Sequence, residues 1–508
     1  MASMIVNLSM PTSKPETYWG LVLRQFRRNR LAMVAFFFVL ALFLLAILAP
    51  FLADNKPIVL RGAYRGLYTQ RYEEWKRGGH PEFMAVLLTA GPDAATDPER
   101  IESRLQTIEH QLEFLSSQLP ASQSAELLGY LREYQAAEQI ALSGNVSDIP
   151  DRYAALQTHA DDISARFAPE NVTLDRHYYW PVLDSLGLTD TFLLWFAALL
   201  IVFTAIRVFL SAHSLPTKKV LLVMLLGVPA VMAVLHRAAH PPVFDSLDYK
   251  GDILSGQIET DFALFPPVAY GINEDHLADK YIAPGARYWM GTDGNGRDLL
   301  TRMIWGARIS LTVGFVAVAI YVLIGVFLGA LAGYFRGWVD LIISRAIEIM
   351  ECFPSFFLIL AVLAFLQPSM WNIMIVIGIT SWTVEARLVR GEFLRLADQE
   401  FVLAARGLGV SDYRTIFRHI LPNGLAPVLV AASFGIASAI LIESSLSFLG
   451  FGISIPIPSW GGILNEARES FRYWWITLFP GLAIFSTVTA YNLIGEGVRD
   501  AIDPRLKV

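Results

Sequence analysis

Residues 400–422 read Glu-Phe-Val-Leu-Ala-Ala-Arg-Gly-Leu-Gly-Val-Ser-Asp-Tyr-Arg-Thr-Ile-Phe-Arg-His-Ile-Leu-Pro, a polar, arginine-bearing segment between two long apolar runs. The stretch predicts two short helices. Small Ala404 and Ala405 lie on the first helix, and Gly407 and Gly409 are expected to supply the turn that follows it. The segment is therefore a helix pair with a glycine-containing turn.

The second helix of this pair is expected to have recognisable ends. Ser411 is a suitable N-cap, because its hydroxyl can accept a hydrogen bond from a free backbone amide. Pro422 is expected just beyond the helix, since proline lacks the amide that continues the hydrogen-bond ladder. A polar helix pair between apolar runs is suited to lie flat at a bilayer surface and to dock into another protein.

The composition indicates an integral membrane protein. Of the 508 residues, 54% are hydrophobic, and the mean hydropathy is +0.45. About 20 helical residues cross the roughly 30 Å hydrocarbon layer. The candidate spans are 31–53, 191–210, 220–235, 309–334, 347–366, 370–388, 425–449 and 474–494. The sequence predicts an all-α polytopic helical bundle with about eight spans.

Basic residues in short loops indicate the orientation, because such loops stay cytoplasmic. Arg24, Arg27, Arg28 and Arg30 precede the first span. With eight alternating spans, the basic clusters of the other short loops fall on the same face. Both termini are therefore predicted to be cytoplasmic, and 31–53 is predicted to be a retained anchor rather than a signal peptide. An alternative for 191–236 is a re-entrant hairpin, which leaves the later topology unchanged.

The predicted organisation has five parts. Residues 1–53 hold the N-terminus and first span, 54–190 a polar insert on the outer face, 191–236 an extra hairpin, 237–308 an outer loop region, and 309–508 the remaining core. Within the insert, apolar residues recur every three or four positions over 101–119 and 153–167. They predict a small helical bundle, and the alternative is a seam that binds a partner helix or dimerises.

The spacing in 400–422 resembles the coupling-helix motif of permease subunits in bacterial ATP-driven importers that are fed by a binding protein. The motif pairs two alanines with a glycine and, further on, a Leu-Pro. Leu403 stands where the family usually has glutamate, and His419 where it usually has an aliphatic residue. The resemblance assigns contact with an ATPase to the following residues: Glu400, Ala404, Ala405, Arg406, Gly409, Leu421 and Pro422.

Further motifs in the second half resemble the peptide and nickel branch of these permeases. They are Gly-Thr-Asp-Gly-Asn-Gly-Arg-Asp at 291–298, Gly-Tyr-Phe-Arg-Gly-Trp-Val-Asp at 333–340, Glu-Ser-Ser-Leu-Ser-Phe-Leu-Gly at 443–450, Pro-Ser-Trp-Gly at 458–461 and Asn-Leu-Ile-Gly-Glu-Gly-Val-Arg-Asp at 492–500. The family has six core spans, so the insert and extra hairpin are additions. Implied partners are a second homologous permease, two ATP-binding subunits, an extracytoplasmic binding protein and membrane lipid, without nucleic acid.

Four charged residues are candidates for an outer gate or a structural role. Asp293, Arg297 and Asp298, with Arg302 and Arg308, suit a turn and an amphipathic helix at the outer interface. They either form a salt-bridge cluster that fixes the start of the next span or receive a binding protein. Glu443 lies in the apolar run 425–449, and ionisable residues inside spans are costly and often functional. A pathway contact and a structural or interfacial role both remain open for it.

The sequence also limits the chemistry of this chain. It has no Gly-x4-Gly-Lys-Ser/Thr loop, so ATP and Mg²⁺ are expected on partner subunits, and neither a cofactor nor catalysis is expected here. One cysteine, Cys352, excludes an intramolecular disulfide. The prediction is a peptide-importer permease in the bacterial inner membrane. Alternatives are a nickel-chelate importer subunit, a membrane-anchored receptor or scaffold, and a secondary transporter, for which no internal repeat is visible.

Overall fold

The structure is a computed structural model that describes residues 18–79, 115–129, 161, 165–209, 218–239, 248–452, 457–468 and 471–502. The chain forms two compact units. The first unit contains 1–53, 196–213 and 270–508, and the second contains 54–195 and 214–269. The helical character predicted from the sequence is confirmed for the described residues.

The helices before residue 260 are α1 Tyr18–Arg28, α2 Arg30–Ile47, α3 Ala49–Leu52, α4 Arg65–Gly79, α5 Pro181–Asp184, α6 Leu188–Phe209, α7 Lys218–Ala239 and α8 Tyr249–Leu254. Those of the second half are α9 Leu299–Phe335, α10 Gly337–Glu351, α11 Ser355–Leu363, α12 Met370–Thr380, α13 Thr383–Ala397, α14 Glu400–Gly407, α15 Asp412–Arg414, α16 Leu421–Gly424, α17 Ala426–Phe448, α18 Trp460–Ala467 and α19 Trp474–Ile502. A π-helical turn, Thr415–Ile420, joins α15 to α16.

Helices long and apolar enough to cross a membrane are α2, α9, α17 and α19. Two further pairs pass the same test together but are bent, by 80° between α10 and α11 and by 41° between α12 and α13. The described residues thus hold four such helices, or six if each bent pair is one span. Shorter apolar stretches lie in α6 and α7, and the count of eight spans stays a prediction.

The break between α10 and α11 has a local cause. Pro354 is the N-cap of α11, and it cannot donate a backbone hydrogen bond. The residue before a proline is also pushed away from the helical region. The run 347–366, predicted as one span, is therefore divided between two helices.

Helix α9 lies at the centre of the first unit and packs along α13. Its glycines Gly325, Gly329 and Gly333 recur every four residues, and a Cβ added at each would fall 2.4–2.6 Å from atoms of α13. Small residues at this spacing let two helix backbones approach closely, as is common between membrane helices. Around this contact lies a large apolar core that includes Tyr321 and Trp382.

The second unit contains a three-stranded antiparallel sheet of order β2-β1-β3, formed by β1 Val59–Ala63, β2 His177–Tyr179 and β3 Glu259–Leu264. The all-α prediction for the insert therefore needs correction. The strands are three to six residues long, too short to give a clear alternating pattern, and they come from distant parts of the chain.

An apolar cluster in the second unit joins α4 to later residues of the insert that the structure describes. Tyr68 and Tyr72 pack with Leu115, Leu119 and Phe167 there. These last three belong to the apolar repeats that predicted a helical bundle. Most of both repeats, at 101–114 and 151–160, lies outside the described residues, so the bundle stays a prediction.

Candidate functional site

The turn after α14 is a Schellman motif. The amide of Val410 donates to the carbonyl of Ala405 at 3.1 Å, and that of Gly409 donates to Arg406 at 2.9 Å. Gly409 has φ +75°, a conformation in which any residue with a Cβ is strained. The glycine turn predicted from the sequence is therefore present, and Gly409 carries it, whereas Gly407 is the last residue of the helix.

Of two predictions for the second helix, one is confirmed in position only and the other is wrong. Ser411 occupies the N-cap position but its side chain makes no capping hydrogen bond. Pro422 does not follow the helix but lies in the first turn of α16, directly after the π-helical turn. The proline ring crowds the carbonyl four residues earlier in a regular α-helix, and the wider π turn relieves that crowding while the chain stays helical.

The segment 400–422 has one packed side and one exposed side. Val402, Ala405, Ile416 and Ile420 are buried, and Leu421 packs against the same core, which includes Phe393 of α13. The exposed side carries Glu400, Ala404 and Pro422. It also carries large apolar side chains that are 42–85% exposed: Phe401, Leu403, Leu408, Tyr413 and Phe417. An exposed apolar patch of this kind marks an interaction site.

Tyr334, at the end of α9, fixes the helix pair to the bundle. Its hydroxyl donates to Oδ1 of Asp412 at the start of α15. The guanidinium of Arg406, on α14, lies 4.5 Å from the centroid of the same ring. We call Tyr334, Arg406 and Asp412 the clasp. Arg406 thus has a partner inside the chain, and all three arginines of the segment, Arg406, Arg414 and Arg418, are exposed.

Ion pairs reinforce the same end of the bundle. Both carboxylate oxygens of Asp340 accept from Arg390, which joins α10 to α13. Arg336 reaches Asp398 at 2.7 Å and so joins the α9–α10 turn to the end of α13. The exposed helix pair is therefore mounted on helices that are cross-linked to one another.

A second polar site lies at the start of α9, which is more than 30 residues, or roughly 50 Å, from the clasp along that helix. Asp293, Arg297 and Arg302 are almost fully buried. Oδ2 of Asp293 accepts from Arg297 Nε at 2.8 Å and from Arg302. Glu466 of α18 accepts from Arg297 at 3.1 Å and from Arg302 at 2.6 Å. We call these four residues the four-charge network, and their formal charges cancel. Exposed Asp275 lies at its edge, 3.8 Å from Nε of Arg297.

The loop that leads into the network is tightly packed. Gly296 has φ +78°, and a Cβ there would fall 1.8 Å from the carbonyl oxygen of His276. Oδ1 of Asp293 accepts from the amides of Asn295 and Arg297 at 2.8 and 3.0 Å. Only glycine fits at this point, so the Gly-Thr-Asp-Gly-Asn-Gly-Arg-Asp motif is a built turn that presents Asp293 to the arginines.

Asp298 stands apart from the network. It is the N-cap of α9, and its Oδ2 accepts from the amide of Thr301 at 2.7 Å. Burial, which disfavours the charged form, raises the pKa of this carboxyl above its usual value, and the hydrogen bonds from Thr301 only partly oppose that effect. The structure therefore gives Asp298 a helix-capping contact.

We expect Asp298→Asn to keep the cap, since asparagine caps as well as aspartate, and Asp298→Ala to lose about 1 kcal/mol. A carboxyl with a raised folded-state pKa binds more protons folded than unfolded, so its contribution to stability is present at low pH and falls as the pH rises through the folded pKa. The Asn variant should lack that fall. Thermal unfolding in detergent between pH 4 and 8 checks this, and equal pH profiles for wild type and Asn variant would contradict it.

Glu443 is fully buried in α17 and bound by hydroxyl groups. Ser447 donates to Oε1 at 2.8 Å, and Ser310 of α9 donates to Oε2 at 3.2 Å. Ser459, the cap of α18, lies 3.4 Å from the Ser447 hydroxyl. In the described part of the chain no basic side chain forms a salt bridge with Glu443. Its carboxyl thus connects α17 directly to α9, and through Ser447 to α18.

Comparison with known proteins decides the family. Residues 325–508 match the family described as "binding-protein-dependent transport system inner membrane component". Residues 17–66 match the "N-terminal TM domain of oligopeptide transport permease C". The dipeptide transport system permease protein DppC of Alkalihalophilus pseudofirmus is 43% identical over 248 residues, which are 48% of this chain and 82% of that protein. The chain belongs to the binding-protein-dependent transport permeases.

Two other relatives agree with this assignment. The glutathione transport system permease protein GsiD of Pectobacterium atrosepticum is 43% identical over 225 residues, 44% of this chain and 75% of that protein. DppC of Bacillus subtilis is 37% identical over 240 residues, 47% of this chain and 75% of that protein. The permease is a multi-pass inner-membrane subunit of an ABC importer, and about half of its length lies outside these matches.

Proposed function

We propose that this permease translocates peptides or peptide-like solutes with energy from ATP that partner subunits hydrolyse. The relatives named for dipeptide and glutathione transport support this substrate class. The proposed assembly contains a second homologous permease, two ATP-binding subunits and an extracytoplasmic binding protein. This chain itself binds no nucleotide in the proposal, and both its termini face the cytoplasm.

The observation that carries the proposal is the construction of the segment 400–422. It exposes a row of large apolar side chains on one side and is fixed to α9 by the clasp on the other. A rigid helix pair of this kind moves as a unit when a bound ATPase closes on ATP. The two ends of α9 then respond together, because a long helix transmits displacement along its axis.

The four-charge network and Glu443 are proposed to hold the opposite end of the bundle. The network joins the start of α9 to α18, and Glu443 joins α9 to α17. A gate that opens there must separate or shift these elements, so both groups are proposed to stabilise the closed outer side. A loaded binding protein supplies the differential contact energy that opening requires.

Gly409→Asp tests the docking function. The positive φ of Gly409 means that the change strains the turn by about 1–2 kcal/mol. A Cβ there meets nothing within 4 Å, so the variant adds a charge beside the exposed patch without a clash inside the chain. We expect recovery of the ATPase subunits in co-purification to fall roughly tenfold, the equivalent of about 1.4 kcal/mol in binding. ATP turnover stimulated by peptide-loaded binding protein in lipid discs should fall with it.

Gly256→Asp is the matched control, because that glycine is also exposed, has φ +76° and has no atom within 4 Å of an added Cβ, and it lies in the second unit. It should leave ATPase recovery unchanged. Equal recovery with both variants would contradict the docking role of 400–422. The unchanged transporter is then tested for uptake of a labelled peptide and, separately, of a nickel chelate. Uptake of the peptide alone supports the proposed substrate class, and uptake of the chelate alone supports the nickel alternative.

A further inference from the structure

The sheet of the second unit exposes an aromatic face. Arg61 of β1 is paired in register with Tyr178 of β2 and with Phe262 of β3. These two aromatic side chains are 62% and 52% exposed, and Trp180 and Leu264 beside them are 46% and 47% exposed. Because neighbouring strands are about 4.8 Å apart, the row spans roughly 10 Å. We call these five residues the aromatic sheet face.

Positive charge accompanies the apolar side chains. The guanidinium of Arg61 lies 5.5 Å from the centroid of the Tyr178 ring. A bulge in β3 leaves Asp261 without a partner residue in β1, and this carboxylate forms ion pairs with both Arg61 and Arg176. Both arginines therefore lie at this face, and the Arg61 guanidinium lies next to an exposed ring. Aromatic rings with a neighbouring arginine match the boundary between lipid headgroups and acyl chains.

The sheet is connected to an apolar helix within the same unit. β2 leads through Trp180 directly into α5, whose Val182 amide donates to the carbonyl of Pro57 ahead of β1. Nε2 of His236, near the end of α7, lies 3.0 Å from the carbonyl oxygen of Leu183 in α5. The sheet is thus held at the end of α7.

The apolar surface of α7 continues up to this contact. Val231, Val234 and Leu235 are 58–61% exposed and immediately precede His236. Such a surface is stable in lipid and unfavourable in water. A bilayer that covers α7 therefore has its headgroup layer close to α5 and Trp180.

We propose that the aromatic sheet face rests on the phospholipid headgroup layer and anchors the second unit to the membrane surface. The occupant is lipid because the apolar surface of α7 leads to this face and because the face combines indole and phenol rings with a neighbouring arginine. The inference is independent of which solute is transported.

Spin labels measure the surroundings of this face directly. With Cys352→Ser as the background, nitroxides are attached in lipid discs to Phe262→Cys and Tyr178→Cys, which lie on different strands. Val231→Cys on α7 is the lipid reference, and exposed Gln70→Cys on α4 is the aqueous reference. We expect the ratio of collision with oxygen to collision with a water-soluble nickel chelate to be several-fold higher at 262 and 178 than at 70.

Three outcomes would overturn the proposal. Labels at 262 and 178 could be as accessible to the nickel chelate as the label at 70, the reference at 231 could itself be in water, or protection could arise only after binding protein is added. The last result would identify a protein-docking face. Loss of peptide uptake by the unlabelled transporter would refute the proposed substrate class but leave this measurement unaffected.

Discussion

Arg302→Met is expected to destabilise the permease by about 3–5 kcal/mol, because it removes one partner from a buried network of charges. Arg302 is 4% exposed and contacts both Asp293 and Glu466. Without it, the buried carboxylate of Asp293 and the part-exposed carboxylate of Glu466 share Arg297. The measurement is the thermal unfolding midpoint of the purified protein in detergent, which should fall by roughly 5–10 °C.

A second substitution distinguishes loss of charge balance from loss of packing. In Arg302→Met/Glu466→Gln, Asp293 and Arg297 remain as a neutral pair joined at 2.8 Å, so the double variant should recover part of the lost stability. In double-mutant cycles, the interaction energy between contacting residues is commonly about 0.5–3 kcal/mol. Arg472→Met, at an exposed arginine ahead of α19, should have little effect. Additive losses in the double variant would show that the charges act independently.

Three of the four charges in this network, Asp293, Arg297 and Arg302, were predicted from the sequence. Asp293 and Arg297 stand in a glycine-rich motif whose spacing predicts a turn, and Gly296 confirms that turn with its positive φ. Glu466 was not predicted to join them, because it lies about 170 residues further on in the apolar stretch of α18. The available signal was an acidic residue in a largely apolar stretch, which is costly to bury without a partner. Asp298 was grouped with the network, but its side chain caps α9 instead.

The fold was predictable to the extent that it depends on local pattern. Long apolar runs gave the helices α2, α9, α17 and α19, since length and hydropathy suffice to define them. Periodicity does not report tertiary contacts or short segments. It therefore missed the bends at Pro354 and at Ser381–Trp382, and it missed the sheet. Similarly, Ala404 and Ala405 were treated as one feature, yet Ala405 faces the core and Ala404 faces outward, a difference that only helix packing determines.

Replacing Tyr334 is expected to uncouple ATP hydrolysis from the loaded binding protein. Tyr334→Leu removes both contacts of the clasp, the stacking with Arg406 and the hydrogen bond to Asp412. A cation–π contact contributes about 0.5–2 kcal/mol, and a hydrogen bond to a charged group about 1.5–3 kcal/mol. We expect stimulated ATP turnover in lipid discs to fall at least tenfold. Tyr334→Phe keeps the ring, so its loss should be smaller.

Tyr334→Leu should change the connection between the helix pair and α9 without changing the surface that binds the ATPase. Tyr334 is buried behind the helix pair, whereas Leu408 and Tyr413 remain exposed on its other side. The ATPase subunits should therefore still co-purify with Tyr334→Leu, unlike with Gly409→Asp, and basal turnover should persist. Phe327→Leu, at an exposed position on the same helix, should behave as wild type. If Tyr334→Leu lost ATPase binding to the same degree as Gly409→Asp, the clasp would form part of the docking surface, and its role as the connection between α14, α15 and α9 would be refuted.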